Sequence, residues 1–422
     1  MSVEKHNGFK TLLNYPDFIK VWLGRLISRL GDSIDSIAFM WMIYELTGSS
    51  ILMGTIMAVN FIPNVIFGLF SGVFVDRWKK KPVMISGDLG RGICVTLIAL
   101  LYVTGKIEPW HLFIITFINS TFETFAVAAR SAVIPRLVID EKDYLTANSL
   151  FKASSSLAEF VGLGLAGFII ATFGIGIAIF MDAATFFLCA LFIIRAKIPT
   201  IEKEITKVKL TRKAFNFDFK EGLNTAFKTP VIRISILLGI SLNFFISPFN
   251  ILAPLYVNNI FQEGAKAYSL LALTITGGIF IASILIGQFA KKLGFRKLIV
   301  TGVLLMAIGF FGFYLAPVLI FAMIASFFIG IGAACLSSSI SSLVMKVADN
   351  EVMGRVSSVM NSLMMAAMPA STSVAGIVAN YYSTRKIFLT IAIAILVIGL
   401  FVITNQGLKK IENKQRTKTL SQ

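Results

Sequence analysis

Apolar stretches of roughly 20 residues or more recur twelve times along the 422-residue chain, separated by short polar breaks. Each is long enough to cross a hydrocarbon core of ~30 Å as a helix. The spans read about 18–46, 50–75, 82–104, 110–133, 145–172, 175–195, 231–258, 267–290, 297–315, 317–345, 355–381 and 386–405. With 56% hydrophobic and 14% charged residues, the chain has too little polar surface to cover its apolar surface in water. In hydrocarbon every backbone amide must be satisfied within its own segment, which excludes open sheet and leaves helix. The expected fold class is all-α and integral to a membrane. The short breaks make sequence neighbours antiparallel.

The net charge of +17 invites a nucleic-acid reading, but its distribution opposes one. With the N-terminus placed inside, Lys and Arg crowd the inner segments, and the outer loops hold only Lys106, Lys266, Arg385 and Lys386. That bias is the positive-inside rule, and it puts both termini in the cytoplasm. The basic inner face attracts anionic lipid, so the bilayer is a partner and nucleic acid is not. Cys94, Cys189 and Cys335 fall inside spans, with no disulfide framework and no C-x-x-C pair. His6 and His111 lie far apart, so neither a metal nor a cofactor is expected. Residues 1–17 are polar and the first apolar run is too long for a cleavable signal. No Gly-x-x-x-x-Gly-Lys-Ser/Thr loop occurs, so the chain is not a self-energised ATPase, and no enzyme activity is expected.

The longest break, 196–230, is rich in Lys and divides the spans six and six. The expected organisation is an N-terminal six-helix bundle (1–195), a cytoplasmic linker (196–230), and a C-terminal six-helix bundle with a basic tail (231–422). The halves echo each other. Asp140 to Gly167 and Asp349 to Gly376 both span 27 positions, with Ser149 and Ser358 at the same offset. A duplicated six-span unit is a transporter architecture whose binding site lies between the repeats near the midplane.

Ionisable residues inside a bilayer are costly and line cavities or pathways. Here they concentrate in the N-terminal half. Arg25, Arg29, Asp32 and Asp35 fall within an arc of about 120° on the first span. Arg29 and Asp32, three apart, are placed to pair across a turn. Arg91, Glu123, Arg130, Glu159 and Asp182 follow on spans three to six. Asp32, Asp35, Glu123 and Glu159 are candidate proton carriers, with Arg25, Arg29, Arg91 and Arg130 as charge partners. A carboxylate in a low-dielectric cavity gains proton affinity by desolvation and loses it to a nearby Arg. The opposing reading has Asp32 paired permanently and serving packing alone; for Asp182 the packing role is favoured. Phe61, Phe122, Phe125, Asn243, Phe245, Asn250, Asn361 and Met364 are candidate pocket residues, since adaptable apolar side chains suit a large greasy ligand. Pro248 and Pro254 are expected to kink the seventh span.

Gly72, Asp76, Arg77, Lys80 and Lys81, between spans two and three, form a pattern that resembles the signature loop of the major facilitator superfamily. Residues 22–32, 129–135, 145–150 and 181–186 resemble its macrolide-efflux and enterobactin-exporter branch. In the fifth span, Gly162–Gly167 stands where that superfamily's antiporters carry a Gly-Pro motif, with Leu163 in place of Pro. The resemblance implies twelve transmembrane helices in two pseudo-symmetric six-helix bundles, the major facilitator fold, in a bacterial cytoplasmic membrane. It implies that Gly72, Asp76, Arg77, Lys80 and Lys81 form a cytoplasmic gate, in which Asp76 would accept hydrogen bonds from the N-terminus of a helix.

These readings meet in one expectation: a secondary active exporter, a proton-coupled antiporter of amphiphilic molecules such as macrolide-like drugs. Its partners are then a small-molecule amphiphile, protons and lipid, and the chain acts as a monomer in multidrug efflux and antibiotic resistance. The rival is an exporter or flippase of an endogenous amphiphile, a siderophore or a lysolipid. A non-transporting receptor or scaffold is the reading from another class, and it has no need of the intramembrane charges.

Overall fold

A computed structural model of the chain describes residues 11–138, 140–199, 224, 227–293, 295–347 and 353–404. These residues form helices and no strand, as hydrocarbon demands of a backbone. The first four helices are α1 (Pro16–Thr47), α2 (Ser50–Arg77), α3 (Lys80–Val103) and α4 (Pro109–Leu137). A continuous stretch follows over Glu141–Arg195, 55 residues or about 80 Å at ~1.5 Å per residue, far more than one bilayer. Gly174 breaks it, with φ 83° and ψ 166°, a region that a Cβ excludes. The arms are α5 (141–173) and α6 (175–195). Both touch α1 at the same level. A methyl on Gly162 would meet Leu30 and Ser33, and one on Gly31 would collide with Asp182 and Thr185. The chain therefore folds back at Gly174, and α1 packs against both arms.

Further on, α7a (Pro230–Ile246) and α7b (Phe249–Tyr256) make one interrupted span that ends in a π-helical turn, Val257–Phe261. The last five helices are α8 (Ala265–Leu293), α9 (Phe295–Leu315), α10 (Leu319–Val347), α11 (Met353–Tyr381) and α12 (Thr384–Thr404). Pro248 stands at the break in α7, where its ring and missing N–H end one helix and start the next. Nine segments among the described residues are long and apolar enough to cross a membrane, and one of them, Thr146–Arg195, holds both α5 and α6. For α1, with its four central charges, and for α12, the reading as a span rests on the sequence pattern.

Backbone packing divides the chain into two compact units, Met1–Thr47 with Val59–Val208, and Gly48–Ala58 with Lys209–Gln422. The start of α2, Gly48–Ala58, clusters with the second unit although it precedes the linker. The reason is a close contact of small residues: Gly54 lies against Gly376 of α11, and Ser50 Oγ donates to the Gly376 carbonyl at 2.8 Å. Most of the linker, 200–223 with 225 and 226, lies outside the described residues.

In the first unit the end of α6 is sealed by cations. Lys81 Nζ donates to the carbonyls of Ile194 and Ala196 at 2.8 and 2.9 Å, and Lys20 Nζ to that of Arg195 at 3.3 Å. Free carbonyls at a helix C-terminus favour this arrangement. Beside it a buried core joins Phe18, Val75, Met84, Val133 and Ile193. In the second unit, Gly278 of α8 and Gly302 of α9 each face a glycine of α10, Gly330 and Gly332, letting three helices approach closely. Tyr256, Phe313 and Phe388 form the aromatic centre of that unit, and Tyr256 Oη donates to the Phe313 carbonyl at 2.7 Å. Large apolar side chains such as Ile93, Phe168, Leu188 and Ile308 stay exposed in the bare protein, as lipid-facing residues do.

Candidate functional site

The charged arc of α1 is the centre of a network inside the first unit. Asp32 is held by two guanidinium groups: Arg91 Nη2 of α3 donates to Oδ1 at 2.8 Å, and Arg25 Nη1 donates to Oδ2 at 3.3 Å. Their side chains are nearly buried, so these bonds are little screened. Arg91 also lies 3.7 Å from Glu123 Oε2 of α4, and its guanidinium sits 4.2 Å from the centroid of Phe186 of α6. A desolvated cation over an aromatic face gains ~2 kcal/mol.

Arg29 does not pair with Asp32, contrary to the spacing argument. Its Nη2 donates instead to Glu159 Oε2 of α5 at 2.6 Å. Asp32 turns toward α3, where Arg91 waits, so the tertiary partner displaces the local one. The Arg29–Glu159 pair is half-exposed, at 31% and 36% of the side chains.

Arg130 completes the expected set with a partner of its own. Its Nη2 donates to both carboxylate oxygens of Asp88 at 2.9 and 3.3 Å, and the Cys189 thiol donates to Asp88 Oδ2 at 3.1 Å. Asp88 is fully buried and Arg130 nearly so. Asp35, one turn beyond Asp32, differs from the other candidate acids: its Oδ1 is sealed from solvent and meets no hydrogen-bond donor. Asp182, at 1% exposure, lies against Gly31 and, among the described residues, accepts only from Thr185 Oγ1 of its own helix, at 3.2 Å.

The candidate pocket residues scatter. In the first unit Phe61 is half-buried, and the Phe122 ring packs over Gly90 of α3. Phe125 joins Phe67, Phe74 and Trp78 at ring separations of 6.0, 6.5 and 5.9 Å, toward the end of α2. In the second unit Asn243 Nδ2 donates to the Met364 carbonyl at 3.2 Å, and the Met364 side chain closes over Gly239. Phe245 faces an apolar groove with Leu242 and Met306. The Asn250 carbonyl accepts from Tyr268 Oη at 3.5 Å, and Asn361 is exposed. Of the gate motif, Lys80 is buried and Lys81 caps α6, while the side chains of Gly72, Asp76 and Arg77 lie outside the described residues.

The sequence profile of the Major Facilitator Superfamily matches residues 21–372, most of the chain and both units. The chain belongs to the major facilitator superfamily. As a member of it, the transporter is similar along nearly its whole length to Macrolide efflux protein A of Streptococcus pyogenes, 24% identical over 98% of this chain and 100% of that protein. It is 22% identical to Multidrug efflux pump Tap of Mycolicibacterium fortuitum over 92% and 95% of the two chains. The crystal structure of nucleoside transporter NupG shares its fold, with a TM-score of 0.73 over 92% and 98% of the chains and 15% identity. This facilitator is thus a multi-pass membrane transporter with efflux proteins among its relatives.

Two acids of the transporter's network gain weight from the structure. Asp88, absent from the sequence-level candidates, is the counter-ion of Arg130. Its position on the third span, one turn before Arg91, is the signal that marks it. Asp182 reads in sequence as a packing residue, and the structure places its carboxylate directly against the charged helix α1.

Proposed function

We propose that this transporter exports amphiphilic small molecules, macrolide-like drugs among them, in exchange for protons by alternating access across the bacterial cytoplasmic membrane. Twelve spans form two six-helix halves joined by the cytoplasmic 196–230 linker, with both termini inside. The observation that carries the coupling is the state of Asp35. Among the four candidate carboxylates, Asp32, Glu123 and Glu159 each face an arginine, whereas Asp35 Oδ1 is buried with no donor. A carboxylate that no cation holds in a low-dielectric site is the one whose proton can be exchanged at little structural cost. The efflux activities named for the relatives in Streptococcus and Mycolicibacterium support the direction of transport and the class of cargo.

The test is erythromycin transport by the reconstituted protein with and without an imposed pH gradient. The wild type is expected to accelerate with the gradient. Asp35→Asn should lose that acceleration while still binding erythromycin. Gradient-driven transport by Asp35→Asn at the wild-type rate contradicts the assignment.

A further inference from the structure

Away from the helix ends, the buried and half-buried side chains of the first unit include four arginines, at positions 25, 29, 91 and 130, and six carboxylates. Four of the acids are matched. Asp32 is bound by Arg25 and Arg91, Glu123 faces Arg91, Glu159 is bound by Arg29 and Asp88 by Arg130. Among the described residues two are left over, Asp35 and Asp182. A membrane interior does not tolerate two adjacent unmatched negative charges, so at least one of them is met by a proton.

The two surplus carboxylates are neighbours across the α1–α6 contact. A methyl on Gly31 would collide with Asp182 Oδ1, which fixes that oxygen at the surface of α1. Asp35 is four residues on from Gly31 and on the same face, where Cβ positions lie ~5–6 Å apart. The two carboxylates therefore lie within about one turn of α1 of each other.

The remaining charged groups near the middle of the packed helices are committed elsewhere, and the buried Cys94 thiol of α3 lies one turn beyond Arg91. On α1 they are Arg25, Arg29 and Asp32, and on α3 Asp88 and Arg91. On α4 they are Glu123 and Arg130, on α5 Glu159, and on α6 the Cys189 thiol given to Asp88. Asp182 has only a share of one hydroxyl, since Thr185 Oγ1 also reaches the Asp182 carbonyl at 2.7 Å.

We propose that Asp182 is the second half of the coupling site, sharing one proton with Asp35 across the α1–α6 contact, while Asp32 is the fixed anion of Arg25 and Arg91. This rests on the proton-coupled reading above and adds a residue to it. Two adjacent carboxylates in a low dielectric do not ionise together, so the closed site holds one proton and one negative charge. When the site opens to water on the cytoplasmic side, hydration of the second carboxylate lets that proton leave. Reloading from the outer side restores it, and one proton has moved inward with no other change of bonds.

The wild type, Asp182→Asn, Asp182→Glu and Thr185→Val are compared in proteoliposomes, with erythromycin as the probe. Infrared difference spectra of the same samples report the carbonyl band of a protonated carboxyl. The wild type is expected to show that band at neutral pH and to lose it on alkalinisation. Asp182→Asn should lack it at neutral pH, bind erythromycin normally, and lose about tenfold in gradient-driven transport, the change in proton occupancy that one pH unit represents. Asp182→Glu should recover part of both signals. Thr185→Val keeps both carboxylates and removes the lone donor, so its transport–pH profile should move to higher pH with coupling intact; it serves as the probe where Asp182→Asn does not fold. A wild type indifferent to the gradient overturns proton coupling altogether. A coupled wild type whose Asp182→Asn or Thr185→Val profile is unchanged overturns the shared proton and leaves Asp35 as the single carrier.

Discussion

Asp88 and Arg130 form a pair that burial makes expensive to break. Removing one member leaves the other charge uncompensated, at ~3–5 kcal/mol, whereas a half-exposed pair is worth ~1 kcal/mol or less. Arg130→Met should therefore lower the thermal midpoint of the detergent-solubilised protein far more than Glu159→Gln does. Equal midpoints would mean that the buried pair is hydrated in the folded protein. The same pair marks how far residues can be read from sequence. Charges inside apolar spans identify themselves, and Arg25, Arg29, Arg91 and Arg130 each lie within 4 Å of a carboxylate. Which acid each takes depends on the packing of α1 against α3 and α5, and so the i, i+3 spacing of Arg29 and Asp32 misleads. Asp182 illustrates the same limit: its place beside Gly31 is a tertiary fact, invisible in the run Asp-Ala-Ala-Thr-Phe.

At the scale of elements, two glycines carry the geometry of the first unit. Gly174 turns α5 into α6 through a conformation open to glycine alone, and a side chain there costs ~1–3 kcal/mol. Gly174→Ala should reduce the thermal midpoint without changing erythromycin binding by the protein that remains folded. Gly31→Val should be worse, because its methyls meet Asp182 and Thr185 and push α6 from α1. Normal yield and stability of Gly31→Val would contradict the packing of these helices. The break at 173–174 is legible in the spacing of apolar runs, since 55 residues cannot make one span. The interruption of α7 is legible in Pro248. The clustering of Gly48–Ala58 with the second unit is not, because it depends on which glycines meet, Gly54 and Gly376, and both lie in ordinary apolar helices.

At the scale of the whole molecule, the charge bias carries the proposed orientation and the buried acids carry the proposed energy source. Cys94, Cys189 and Cys335 are buried, so an impermeant maleimide starts from a low background. Lys106→Cys and Lys266→Cys should label from outside intact cells and Lys209→Cys should not; the reverse pattern would invert the topology. The superfamily fold follows from the sequence pattern, but the cargo does not, because apolar pocket residues look like any other apolar helix surface. The most direct measurement of the central claim is proton movement driven by cargo. Proteoliposomes holding the wild-type protein and a trapped pH dye are given an erythromycin gradient with no initial pH difference. Exchange predicts that protons move opposite to erythromycin and that Asp35→Asn abolishes their movement. Erythromycin flux through the wild type with no change in lumenal pH would contradict it.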